Sequence, residues 1–161
     1  MLRLVFGVVR ALVVVLVVGV LAIPIVCTIT HTKPYIVAGA SMQPTYRLRD
    51  VVYVKAAEQY RVGDVVQVTT DNPFVHRIVA VLPDGRFRTC GDANCPNPAE
   101  WESGVDTEPV VSNQITGKVV LHVGEPWARI VRIGATWPGR VFGAIVCVLL
   151  LWPWTDRKRR A

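Results

Sequence analysis

The chain has 161 residues, 52% of them hydrophobic and 19% charged, with a formal net charge of +6. That length holds one domain, part of it committed to two uncharged apolar stretches. The basic excess lies outside the middle of the chain: residues 31–128 hold 9 Lys+Arg against 11 Asp+Glu, a net −2, and the flanks hold 9 Lys+Arg against Asp156 alone, a net +8. A nucleic-acid-binding domain concentrates cations on its folded face, so nucleic acid is excluded as a partner.

Arg3 and Arg10 precede a stretch from Ala11 to Thr30 with no charge. Roughly 20 residues at about 1.5 Å each match a hydrocarbon core of about 30 Å. The pattern predicts a cytoplasmic segment over 1–10 and a transmembrane helix over 11–32. A cleavable signal peptide is the other reading, but its apolar core is usually about 7 to 15 residues.

From 33 to 129 the pattern changes to short β-type runs. Val51 to Val54, Val65 to Val68, Ile78 to Leu82, Arg86 to Arg88 and Val119 to Val123 are mostly β-branched or aromatic and separated by turn residues. Asp84-Gly85 between two such runs predicts a hairpin. Pro96, Pro98 and Pro109 make Cys90 to Asn113 read as a long loop. The expected fold is mostly β: a compact β-rich domain over 33–129, set between apolar segments.

After a linker over 130–137, Val141 to Thr155 is again uncharged. Fifteen residues reach only about 22 Å as a helix. Starting at Pro138, with Arg140 snorkelling and Trp137, Trp152 and Trp154 at the interfaces, brings the segment close to a span. A second transmembrane helix is therefore expected over 138–154; a hairpin or interfacial segment dipping into the bilayer is the alternative. The tail 155–161 carries Arg157-Lys158-Arg159-Arg160. Positive charge at both ends places both termini in the cytoplasm and the β-domain outside it, in a multi-pass membrane protein.

The segment Gly39-Ala40-Ser41-Met42-Gln43-Pro44-Thr45 presents a serine in a backbone shaped by Gly39 and Pro44. An isolated serine in a turn ordinarily bonds only to backbone. As a nucleophile it needs a neighbouring base. His76 is the best base in the domain, because an imidazole takes and returns a proton near neutral pH; His31, His122, Lys55 and Lys118 are the rivals. Asp92, in Gly91-Asp92-Ala93-Asn94, reads either as an acid that orients the base or as a turn residue. Cys27 and Cys147 fall in the apolar stretches, whereas Cys90 and Cys95 bracket Asp92 and form a candidate disulfide, with free thiols as the alternative. There is no Walker-type Gly-Lys-Ser/Thr and no His-Glu-x-x-His. No metal or organic cofactor is expected.

Taken in order, Gly39-Ala40-Ser41-Met42-Gln43-Pro44-Thr45, Gly63-Asp64-Val65-Val66, His76-Arg77-Ile78-Val79 and Gly91-Asp92-Ala93-Asn94 resemble the boxes of type I signal peptidases. Histidine rather than lysine in the catalytic-base box resembles the branch of archaeal, endoplasmic reticulum and some Gram-positive bacterial enzymes. The resemblance implies a membrane-bound serine endopeptidase that removes signal peptides from secreted preproteins after small residues. It implies Ser41 as nucleophile, His76 as base and Asp92 as orienting acid, and a β-domain of the signal peptidase type. Some His-type relatives carry a further Asp a few residues later, where this chain has Pro98, Glu100, Glu102 and Asp106. The expected partners are secreted preproteins and the lipid bilayer; accessory subunits are not specified. The rival functions are a peptidase dedicated to a few exported proteins and a non-catalytic, membrane-tethered binding module.

Overall fold

The computed structural model describes residues 2–95 and 108–152. The chain divides into two units, one of Cys27–Arg129 and one made of Met1–Val26 with Ile130–Ala161. Half of the expected loop over Cys90 to Asn113, residues 96–107, lies outside the described residues, as do Trp154 and the tail 155–161.

The first unit is a six-stranded antiparallel sheet. Its strands are β1 (Thr32–Ile36), β2 (Val51–Lys55), β3 (Val65–Val68), β4 (Phe74–Val81), β5 (Phe87–Cys90) and β6 (Ile115–Val123), in the order β1-β2-β6-β3-β4-β5. The five runs read from the sequence each fall on a strand, with Leu82 just past the end of β4 and Arg86 just before the start of β5. β1 was not read, because Lys33-Pro34 interrupts its pattern; its place at the sheet edge accounts for the proline, which has no N–H for a second neighbour.

Alternation of side chains sends apolar residues to both faces of the sheet. Val66, Val68, Ile78, Phe87, Val110 and Ile115 form one cluster. Val37, Val52 and Val54 form another, with Tyr35, Tyr46, Val75 and Val119 packed on it. β3 is buried along its whole length, Gln67 included.

The β4–β5 hairpin sets the register on which the site depends. The Leu82 amide donates to Arg86 O at 2.8 Å, the Gly85 amide donates to Leu82 O at 2.9 Å, and Gly85 has φ +82°. A three-residue loop needs such a left-handed residue, which glycine adopts without steric cost. With this turn Arg77 faces Cys90, so the chain leaving β5 passes beside His76.

A second constraint closes the segment that carries Ser41. The Val37 amide donates to Asp50 O, and the Arg49 amide to Val37 O, so residues 37 and 50 form the neck of a loop that carries Ser41. The Asp50 side chain, 2% exposed, accepts from the Arg47 amide at 2.8 Å and pairs with His122 Nε2 at 2.7 Å. Tyr46 stacks on the His122 ring with centroids 4.9 Å apart. Burial pushes the Asp50 carboxyl up, but the Arg47 amide, His122 and the Glu125 amide outweigh it and hold the group below its ordinary range.

The other unit holds most of the helix. α1 (Leu2–Thr30) has 29 residues with Pro24 inside, and it is long and apolar enough to cross a membrane from Leu4 to Thr30. α2 (Trp127–Ala135), which begins at the end of the β-unit, covers most of the expected linker 130–137. α3 (Trp137–Leu151) is capped by Thr136 and follows α2 after a bend of 99°. Its 15 residues are short of a full span, so α1 alone passes by length among the described residues. Helix exceeds strand over the described residues, so the expected mostly-β character holds for the β-unit and not for the described residues together. The physical reason is that apolar segments of membrane-spanning length satisfy their backbone groups internally as helix.

Asp50 has its folded-state pKa below the unfolded one. The stability it contributes is therefore complete above the ordinary carboxylate pKa, about 3.9, and is lost as pH falls through the lower folded value. Urea unfolding of Asp50→Asn at pH 7 and at pH 3 should show lower stability than wild type at pH 7 and a smaller further loss at pH 3. An equal loss in both proteins would remove Asp50 from the acid transition.

Candidate active site

Ser41 Oγ and His76 Nε2 lie 3.1 Å apart, although 35 residues separate them in sequence. Ser41 stands in a tight turn, with the Gln43 amide donating to Ala40 O at 3.0 Å and the Tyr46 amide to Met42 O at 2.9 Å. Met42, 1% exposed, anchors this turn in the interior. His76 is held in β4 by pairing with Val66, and its ring packs on Phe74, two residues earlier on the same face, at 4.7 Å between centroids.

The turn after β5 closes over this pair. The Ala93 amide donates to Ser41 O at 2.9 Å. A Cβ built on Gly91 would lie 2.5 Å from Ser41 O, 2.9 Å from Ser41 Cβ and 3.1 Å from His76 Nε2. Glycine is required here by space, since any side chain would displace the backbone and the two reactive groups together.

Asp92 is in the same cluster, but its hydrogen bonds run elsewhere than to the far nitrogen of His76. Oδ1 accepts from Arg77 Nε at 2.8 Å, and Oδ2 accepts from Arg77 Nη2 at 2.7 Å and, in a short bond, from Thr45 Oγ1. Arg77 Nη1 also donates to Gly63 O at 2.8 Å. One planar guanidinium thus joins the start of β3, strand β4 and the turn after β5. This fork-to-carboxylate geometry is one that lysine cannot reproduce. The Asp92 hydrogen bond, opposed by burial, raises the Arg77 pKa above its ordinary value. The nearby Tyr46 hydroxyl is pushed up by burial and by Asp92, with Arg77 opposing.

The remaining sequence candidates lie elsewhere. His122 pairs with Asp50, Lys118 with Asp64 at 3.3 Å, and His31 and Lys55 are exposed. Asp64 accepts the Arg61 amide and serves the turn into β3. Cys90 and Cys95 are joined by a disulfide, 1% and 5% exposed. Among the described residues no group of His, Cys, Asp and Glu could hold a metal ion.

Arg77, Thr45 and Gly91 are the contributors that the sequence reading did not assign. All three stand inside the quoted boxes, but their roles depend on contacts between boxes. Beside Ser41 lies a groove of about 380 Å³. Tyr35, Ile36, Val37, Ala38, Gly39 and Met42 line one part of it, and Gln67, Asn72, Pro73, Phe74 and Val75 another.

A serine hydroxyl within hydrogen-bond reach of an imidazole, beside a groove of mixed lining, is an arrangement in which one group could take the proton of the other. The family model described as signal peptidase, peptidase S26, matches residues 8–85, which include α1 from Val8, the Ser41 turn, His76 and Arg77. Over these residues, just under half of its length, the chain is similar to this signal peptidase family. No curated protein matches it. The family match stops before Gly91 and Asp92, so the turn that covers the pair is known from geometry alone.

Arg77→Lys should lower kcat by roughly 10- to 100-fold with the sheet retained, because a single ammonium cannot hold both Asp92 oxygens and Gly63 O. Gly91→Ala should cost at least as much. Steady-state cleavage of a preprotein, together with the circular dichroism of both variants, checks this; near-wild-type turnover in Arg77→Lys would reduce the clamp to a dispensable contact.

Proposed function

We propose that the chain is a membrane-bound serine endopeptidase of the His type, removing signal peptides from secreted preproteins. The observation that carries this reading is the 3.1 Å contact between Ser41 Oγ and His76 Nε2, within a stretch similar to the signal peptidase family. With the His76 proton on Nδ1, Nε2 accepts the hydroxyl proton as Oγ attacks the scissile carbonyl. The imidazolium passes that proton to the leaving amine, and water hydrolyses the acyl-enzyme by the same route in reverse. The Ser41 backbone N–H is the first donor to the oxyanion.

In this reading Asp92 is a positioning residue. Its carboxylate, locked by Arg77 and Thr45, holds the Gly91–Ala93 turn on Ser41. The groove receives the preprotein as an extended segment, with main-chain bonding supplying affinity and the pocket beside Ser41 admitting small side chains. No metal or organic cofactor enters these steps.

The proposed topology sets α1 across the membrane, the β-unit on the extracytoplasmic side and the basic termini in the cytoplasm, as the flanking positive charge favours. The apolar segment over 138–154, with Arg140 snorkelling outward, supplies the second span. Ser41 follows α1 closely in sequence, and a preprotein cleavage site likewise follows its own apolar helix. Confining both to one surface raises their effective concentration.

Co-expression with a reporter preprotein tests the reading. Ser41→Ala and His76→Ala should each leave the precursor unprocessed at normal enzyme level, and mature reporter from Ser41→Ala would sink the proposal. A cysteine introduced at the C-terminus should resist labelling by an impermeant reagent in intact cells; ready labelling would overturn the two-span arrangement.

A further inference from the structure

The groups that position the proposed nucleophile and base converge on one short covalent ring. Cys90 ends β5, Cys95 lies five residues on, and the disulfide between them encloses Gly91 to Asn94. Within that ring the Ala93 amide holds Ser41 O, Gly91 lies against Ser41 and His76, and the Asp92 carboxylate takes Arg77 and Thr45. Inside the ring the Asn94 and Cys95 amides donate to Gly91 O, bonds that stay within the turn. The disulfide is therefore the covalent tie between the far end of the turn and strand β5.

So short a ring removes little entropy from the unfolded chain compared with a long one. Its effect is local: it restricts the turn that touches the reactive pair, while the sheet is held by its own two apolar clusters. Both sulfurs are almost fully buried beside Val79. Exchange with a partner or with a small dithiol thus proceeds through a state in which the turn is open, and is slow once it has closed.

We propose that oxidation of the Cys90–Cys95 dithiol is the step that assembles the active site, so that the chain is idle as the dithiol and active as the disulfide. The inference rests on the peptidase reading for its consequence and on the geometry of the ring for its mechanism. The oxidant is the disulfide of a thiol–disulfide oxidoreductase on the extracytoplasmic side. One cysteine thiolate attacks that disulfide and forms a mixed disulfide; the second thiolate displaces the partner's sulfur and closes the Cys90–Cys95 bond. Two electrons and two protons leave the pair and appear as the partner's dithiol. A chain still in a reducing compartment would then carry a loosened catalytic turn, and exported oxidation would switch it on.

The test uses the full chain in detergent micelles, equilibrated in dithiol/disulfide buffers of graded ratio, with the thiol state read by alkylation and mass. On reduction kcat for preprotein cleavage should fall roughly 10²-fold and the Ala93 amide should lose its protection from hydrogen exchange, while the sheet amides keep theirs. Reoxidation should restore both in wild type. A Cys90→Ser/Cys95→Ser variant should match the reduced protein in every buffer; if that variant fails to fold, the wild-type titration still decides. Unchanged Ala93 protection overturns the proposal whatever the turnover, as does kcat within about twofold across the titration. Loss of protection throughout the sheet also overturns it, since the tie would then be global. An oxidised wild type that cleaves no preprotein would sink the peptidase reading instead, leaving Ala93 exchange to judge the redox inference by itself.

Discussion

The guanidinium of Arg77 is the point on which the site is built. It places two donors on Asp92 and one on Gly63 O, so strands β3 and β4 and the turn after β5 share one rigid, planar, permanently charged group. The pair is only partly exposed, with side chains 25% and 12% accessible. Removing one partner would leave the other as a poorly solvated charge, which costs far more than an exposed ion pair contributes. Ser41 and His76 bond to one another, but the turn that fixes their approach is held from behind by this clamp and by Thr45.

The same arrangement explains why two elements without reactive atoms matter. The β4–β5 hairpin sets a register in which Cys90 faces Arg77, and the next residue must pass close to His76. A one-residue slip would turn every side chain to the opposite face. The Val37–Asp50 neck works from the other direction: two backbone bonds and a buried carboxylate close the loop that carries Ser41, and Tyr46 on His122 packs its far wall. A serine on an exposed loop gains a defined direction because both sides of the loop are anchored in the sheet.

Much of the β-unit was legible in the sequence, for reasons that differ by element. The runs at Val51, Val65, Ile78 and Val119 declare themselves because β-branched residues pack well on a pleated surface. Asp84-Gly85 declares its hairpin because only a left-handed residue closes so short a loop. β1 was hidden by Lys33-Pro34, which only an edge position tolerates. α2 was not read, although Trp127 to Ala135 sets six apolar residues beside Arg129 and Arg132 in one amphipathic turn pattern. At the C-terminal side the apolar stretch predicts helix correctly, but the 99° bend before α3 cannot be read from hydropathy.

What the sequence alone determined are the properties carried by residue types at fixed separations: an uncharged stretch of membrane-spanning length, a charge excess at the two ends, the strand runs, and a serine, a histidine and an aspartate in ordered boxes. Only the tertiary structure decided which of these touch. It brought Ser41 to His76, sent Asp92 to Arg77 and Thr45, and gave Gly91 a spatial reason for lacking a side chain. Hydrogen bonds act over about 3 Å, and partners 15 to 50 positions apart meet only through strand register and turn geometry. The boxes thus name the participants, and the sheet determines their pairing.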